Sequence, residues 1–262
     1  MSDDLGTPHL RFERDGSLAW CIIDRPEARN ALTAAMYFGL GRAVDKVNAS
    51  SSLAALIITG TGDVFAPGGE MGGRSEEGAA DLSALGTRIL PFETVRDSRK
   101  PVISAVNGLC QGGGLTIAML SDVTVASDRA TFRGPELLRG VADMYYAAIL
   151  PAHVGIARAR EIMLTARRLT AEEALACGLI ARVAPHDELR DAAVRTAGEV
   201  LQTAPEARMH FKRAVNAGYG VIDHMTFGAS INASECREGF EAFLERRSPA
   251  WVPEEFRRDE RL

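Results

Sequence analysis

The sequence predicts an α/β protein, and three observations carry that prediction. A short, apolar, β-branched run, Val102 to Val106, reads as a buried strand that passes through a glycine turn into an apolar helical stretch. The order of strand and then glycine turn recurs loosely after Leu53. Strands and helices alternate through the first half, and from Met144 onward the pattern is helical.

Taken in order, Leu10 to Arg14 and Leu18 to Ile23 flank Asp15-Gly16, a pair that favours a hairpin turn. Thr33 is placed to cap an amphipathic helix, Ala34 to about Asn48, with Met36, Leu40, Val44 and Val47 on one face. Leu53 to Thr59 is the next strand, closed by Gly60-Thr61-Gly62-Asp63, and a glycine-rich turn follows from Phe65 to Gly73. Arg74 to Asp81 is polar and acidic and reads as a loop able to cover a site, with a helix from Leu82 to Ser98 behind it.

The central stretch runs from Val102 to Glu136. Its strand stops at Asn107-Gly108, and Gly112, Gly113 and Gly114 lead into a helix opening near Leu115. A strand, Val123 to Ala126, follows. The later helices are Tyr145–His153, Ala157–Leu164, Ala171–Cys177, Glu188–Gln202, Glu206–Asn216 and one long run from Ile222 to Arg247, with a short strand at Ile180 to Val183. The apolar stripe Phe227, Ile231, Phe240, Phe243 and Leu244 is a face for the core or for another subunit, and the few surfaces open to a long terminal helix favour the subunit.

Composition narrows the classes. The 262 residues, 46% hydrophobic and 25% charged, are those of an ordinary globular protein with a substantial core. A net charge of −5, without a basic block interleaved with aromatics, argues against nucleic acid as a partner. Cys21, Cys110, Cys177 and Cys236 are far apart and match no zinc spacing, so buried free thiols are expected and no metal. The acidic N-terminus is unlike a signal peptide and no stretch reaches the length of a membrane span, so a cytoplasmic protein without membrane contact is expected.

The glycine turns are where chemistry is expected. Glycines let backbone approach a ligand closely, and a helix start adds unpaired N–H groups and the positive end of its dipole. Such a turn suits a phosphate or a developing oxyanion, or else simply close packing of helix on strand. Leu115 stands where a nucleotide-binding P-loop needs Lys, and consecutive glycines break the dinucleotide spacing.

With these residues in view, the chain resembles the crotonase superfamily, the enoyl-CoA hydratase/isomerase family. The likeness is carried by the turn from Arg25 to Leu32, the glycine loop from Phe65 to Glu70 and the signature from Asn107 to Asp122. It continues in Thr165 to Gly178, Val183 and the C-terminal run from Glu238 to Arg247. The resemblance implies a ββα spiral core over residues 1–195 and a helical region over 196–262 that assembles trimers, or hexamers as paired trimers, and covers the active site. It implies acyl-CoA thioester substrates and no separate cofactor. By position, the N–H groups of Gly69 and Gly113 would form the oxyanion hole, and the chain near Arg25, Ala28, Arg29, Ala66 and Gly68 would hold CoA.

The sequence departs from the two-carboxylate hydratases of that family. Glu136 matches their second acid, but the first position is Thr116, whose hydroxyl cannot serve as a carboxylate base. Double-bond isomerisation with Glu136 as the single acid/base is therefore favoured over two-Glu hydration. A hydroxycinnamoyl-CoA-type hydratase-lyase, a CoA-ester hydrolase and a non-catalytic acyl-CoA binding protein are the alternatives. Asp143 lies near an aspartate used by some relatives, although capping the helix at Met144 is the favoured role. Tyr145 and Tyr146 would serve an aromatic acyl group but read first as core, Asp122 and His153 read as structural, and an ion pair with Arg133 or Arg139 is the structural alternative for Glu136.

Overall fold

In the computed structural model of the chain, residues 4–70 and 90–257 are described. Strands β1 (Leu10–Asp15) and β2 (Leu18–Ile23) form the expected hairpin on Asp15-Gly16. Strand β2 is buried along its whole length because both of its faces are covered. Ala19, Cys21 and Ile23 face the larger core, while Leu18, Trp20 and Ile22 face a smaller one. Helix α1 (Ala34–Ala49) starts where Thr33 accepts the Met36 N–H.

Three successive units then each add one strand to each of two sheets. Strands β3 (Ala55–Gly60) and β4 (Val64–Ala66) come first, with helix α2 (Phe92–Arg96) after them. Strands β5 (Val102–Val106) and β6 (Leu109–Gln111) lead into helix α3 (Gly113–Leu120). Strands β7 (Val123–Ser127) and β8 (Thr131–Arg133) precede helix α4 (Met144–Val154). Helix α5 (Ile156–Thr165), strand β9 (Leu169–Thr170), helix α6 (Ala171–Ala176), strand β10 (Arg182–Ala184) and helix α7 (Leu189–Leu201) follow.

The larger sheet has the order β1-β2-β3-β5-β7-β10, parallel apart from the hairpin. Residues of α7 close the smaller core on one face, while α1, α2, α3 and α4 contribute to the larger core on the other. The smaller sheet has the order β4-β6-β8-β9, with β4, β6 and β8 parallel neighbours. The chain thus has the α/β architecture that its sequence predicts.

Several boundaries differ from the sequence reading. Strands β4, β6, β8 and β9 span two or three residues each, too short to show alternation, and were not anticipated. Helix α3 opens at Gly113 and not near Leu115, because Gly112 at φ 54° turns the chain directly into it. The long terminal helix is in fact two, α9 (His224–Ile231) and α10 (Ser234–Glu245), after α8 (Pro205–Asn216). Extended backbone at Ala233 separates them, and the Asn232 side chain donates back to the Gly228 carbonyl. The expected loop from Arg74 to Asp81 and the first half of the helix behind it lie outside the described residues.

Among the described residues no helix is long and apolar enough to cross a membrane, and no group of three or more metal-ligating side chains is gathered. Cys21, Cys110 and Cys236 are buried free thiols, and Cys177 is half-buried. The C-terminal stripe is largely unburied within the chain, with Phe243 49% and Leu244 66% exposed.

One buried charge pair pins helix α8 to the sheet. Lys212 Nζ donates to Asp122 Oδ2 at 2.8 Å and to the Ser98 carbonyl at 2.7 Å, and Asp122 Oδ2 also accepts the Val102 N–H. Burial raises the Asp122 ionisation, and Lys212 pulls it back. Lys212→Ala leaves that carboxylate buried without its cation and is expected to destabilise the protein by about 3 kcal/mol in denaturant titration.

Candidate active site

The site lies beyond the carboxyl ends of β4, β6 and β8, where parallel strands leave a crevice that loops can line. Ala66 pairs with Cys110, and Gln111 with Arg133, so these neighbouring strands end close together. The chain leaves β4 into Pro67-Gly68-Gly69, β6 into Gly112-Gly113, and β8 into Gly134-Pro135-Glu136. All three turns meet. A Cβ added to Gly112 would lie 3.0 Å from both Gly68 Cα and Glu136 Oε1.

The two expected oxyanion donors are aimed by anchoring the carbonyl that precedes each of them. The Gly68 carbonyl accepts the Leu32 N–H at 2.9 Å, and Glu70 N–H returns a bond to the Leu32 carbonyl. In a planar trans peptide the following N–H points the opposite way, so the Gly69 N–H faces away from Leu32. The Gly112 carbonyl is held likewise, by Thr116 N–H at 3.1 Å and Tyr146 Oη at 2.9 Å. That directs the Gly113 N–H outward from the first turn of α3, where N–H groups have no acceptor in the helix.

Glu136 opens a short 3-10 turn, Glu136–Arg139, behind β8. The residue keeps part of its surface open, but Oε2 is sealed from solvent with no hydrogen-bond partner among the described residues. Burial pushes the Glu136 carboxyl well above the ordinary range, and the nearby Asp143 pushes it further. Asp143 caps α4 by accepting the Tyr145 and Tyr146 N–H groups at 2.9 and 3.2 Å. Burial pushes Asp143 up to about 6, against those two donors. The Arg139 guanidinium stacks on the Phe243 ring at 3.9 Å, so α10 packs on the turn that carries Glu136.

The other expected site residues take different places. Thr116 is buried with Oγ1 directed back at the Gly112 carbonyl, 3.5 Å away, so it braces the turn. Arg25 is 8% exposed and bonds the Ala31 carbonyl and Glu70 Oε1, which ties its turn to the glycine loop from inside. Ala28 is half-buried and Arg29 exposed on the same turn, Arg29 in the left-handed region at φ 50°. Ala66 is buried at the end of β4, and Gly68 adopts a φ of 106° that suits only glycine. Tyr145 and Tyr146 are core residues, each 1% exposed.

Sequence reasoning missed Tyr37. A Cβ at Gly113 would lie 2.1 Å from its hydroxyl oxygen, so the phenol stands directly over the glycine turn. The only signal was a hydroxyl-bearing ring between Met36 and Leu40 on the buried face of α1. A separate cavity of about 800 Å³ lies among α4, α5 and α6, apart from all these residues. Its rim charges are already paired, Arg158 with Glu161 and Arg167 with Glu161 and Glu173.

Comparison with known proteins decides the family. The family model for enoyl-CoA hydratase/isomerase matches residues 13–254. The chain belongs to that family. Members of the enoyl-CoA hydratase/isomerase family are enzymes that act on acyl-CoA. A carnitinyl-CoA dehydratase of Salmonella arizonae is 33% identical over 257 residues, covering 92% of this chain and 97% of that protein. A solved enoyl-CoA hydratase/isomerase from Pseudoalteromonas atlantica superposes with a TM-score of 0.79 at 27% identity, over 93% of this chain and all of that one. A carnitinyl-CoA hydratase structure from Mycobacterium avium gives 0.78 at 30% identity, over 94% and 98%.

The acid pair has a consequence for stability. With its folded ionisation raised from 3.8 to about 6, Asp143 disfavours its charged form, so stability present below pH 4 is lost as pH rises through 6. Asp143→Asn keeps a capping oxygen and removes the ionisation. Its stability should match wild type near pH 4 and exceed it by about 1–3 kcal/mol at pH 7, as read by denaturation across a pH series.

Proposed function

We propose that this enzyme moves the double bond of an enoyl-CoA thioester, with Glu136 carrying the proton. One observation bears most of the weight. Among the described residues a glutamate oxygen, that of Glu136, lies at the junction of the two glycine turns, and the position where a hydratase has its other glutamate holds a buried threonine turned back on its own helix.

In this mechanism the Glu136 carboxylate takes a proton from the carbon next to the thioester of a 3-enoyl-CoA. The electron pair moves through the alkene system to leave a dienolate, with negative charge on the thioester oxygen. Gly69 and Gly113 N–H groups bind that oxygen more strongly as its charge grows, which lowers the barrier selectively. Protonated Glu136 then delivers the same proton to the far end of the dienolate and gives the 2-enoyl ester. No water enters or leaves.

The surroundings suit that task. A carboxyl whose ionisation is raised by burial is a stronger base once deprotonated, and it binds the transferred proton long enough to return it. For the rest of the substrate, the exposed Arg29 would meet CoA phosphates and the backbone at Ala28, Ala66 and Gly68 would border the pantetheine arm. Arg25 would support that surface from beneath. The exposed apolar residues of the C-terminal helices support assembly into trimers, alone or in pairs.

A second reading is hydration or dehydration of the acyl chain, with Asp143 as the other carboxyl. It is favoured by the repulsion between the Asp143 and Glu136 carboxyls and by the likeness to the carnitinyl-CoA dehydratase of Salmonella arizonae. Incubation with 2-enoyl, 3-enoyl and 3-hydroxyacyl CoA esters separates the two, because isomerisation preserves mass and hydration adds one water.

Glu136→Gln should lower kcat by roughly 10²–10⁴-fold while leaving affinity for a saturated acyl-CoA intact. Wild-type kcat/KM should rise with pH through the raised Glu136 ionisation, placing the acid limb well above the usual carboxylate range. Retention of turnover by Glu136→Gln would end this reading.

A further inference from the structure

We propose that the Tyr37 hydroxyl is a third hydrogen-bond donor to the thioester oxyanion, a side-chain donor beside the main-chain N–H groups of Gly69 and Gly113. The inference rests on the acyl-CoA reading above and adds a catalytic residue to it.

Location is the first argument. The Tyr37 oxygen occupies the space over Gly113 that any side chain there would need, 2.1 Å from the position of an added Cβ. It therefore stands at the opening of α3, where the outward N–H groups and the helix dipole already favour negative charge.

The second argument is hydrogen-bond accounting. Tyr37 is 3% exposed, yet its hydroxyl has no partner among the described residues. The neighbouring phenols are both satisfied, Tyr146 by the Gly112 carbonyl and Tyr145 by Glu93. The unpaired polar side-chain atoms sealed within the described residues are Trp20 Nε1, Arg25 Nε, Glu136 Oε2 and Arg208 Nε. Tyr37 Oη is not one of them, so a little of its surface stays open. A donor held without an acceptor costs free energy that an incoming oxygen would recover.

The third argument is rigidity. The Tyr37 ring packs edge-on against Phe92 at 5.4 Å, and Phe92 packs edge-on against Tyr145 at 4.9 Å. Helix α1 is fixed at its start by the Thr33 cap, four residues before Tyr37. The hydroxyl cannot swing elsewhere without breaking this stack, and a preorganised donor spends nothing on reorientation when charge develops. Burial, with the Glu136 and Asp143 carboxyls nearby, holds the phenol far above its ordinary ionisation, so it keeps its proton at every working pH.

Unlike the two amide donors, this one can be deleted by removing a single atom. The test compares wild type with Tyr37→Phe, using acetoacetyl-CoA as an enolate probe followed by its near-ultraviolet absorbance and butyryl-CoA as an uncharged control followed by calorimetry. Tyr37→Phe should lower affinity for the enolate, and kcat for the productive enoyl ester, by tenfold or more. Butyryl-CoA affinity should stay within threefold, and the thermal midpoint should not fall, because the lost hydroxyl was unpaired. Enolate affinity and kcat within twofold of wild type would overturn the proposal and leave the acyl-CoA reading standing. Equal losses for butyryl-CoA and the enolate would also overturn it, since Tyr37 would then shape the pocket without answering charge. Failure of wild type to bind either ester would overturn the acyl-CoA reading and this proposal together.

Discussion

The site depends on two carbonyl groups that never face it. Leu32 holds the oxygen of Gly68, and Thr116 with Tyr146 holds the oxygen of Gly112. Peptide planarity does the rest, turning each anchored carbonyl into an N–H aimed the other way. The anchors come from the turn before α1, from α3 itself and from α4, so elements scattered along the chain fix two directions in space. Neither direction would survive if the glycine turns were free loops.

That arrangement requires the small sheet. Strands β4, β6 and β8 are three residues each and contribute little burial by themselves, yet their parallel order makes the three turns neighbours. The larger sheet and its two cores hold these short strands in register, because each follows closely on a long strand of the large sheet. Helix α10 adds a brace from the C-terminal region, with Phe243 beneath the guanidinium of the residue that ends the Glu136 turn.

Much of this was legible in the residues. Asp15-Gly16 announced the hairpin, Thr33 announced its helix, and Asp122 read correctly as a structural acceptor. The glycine turns stood out as places where backbone N–H groups could face a ligand or simply pack closely, and it was the family resemblance that singled out Gly69, Gly113 and Glu136. What could not be read was adjacency. Nothing local says that Gly68 touches Gly112, that Lys212 is the partner of Asp122 90 positions away, or that the Tyr37 oxygen stands over Gly113. Strands of two or three residues show no alternation, and a tyrosine on an apolar helix face looks like any other core ring. The supposed single terminal helix failed for a related reason: its apolar periodicity runs on across a break that backbone angles at Ala233 impose. Asp143 shows how two readings can both have substance, since one of its oxygens caps α4 while its charge is felt at Glu136.

The two anchored N–H groups proposed to grip the thioester are main chain, so that part of the site would be inherited with the fold and be nearly blind to which amino acids surround it. The proton carrier proposed here is an exchangeable side chain, Glu136, with Asp143 beside it on the second reading. A scaffold divided in this way can change its reaction by replacing a few of those groups while the activation of the carbonyl passes on untouched, so descent within such a lineage constrains the kind of ester far more tightly than the bond that is altered.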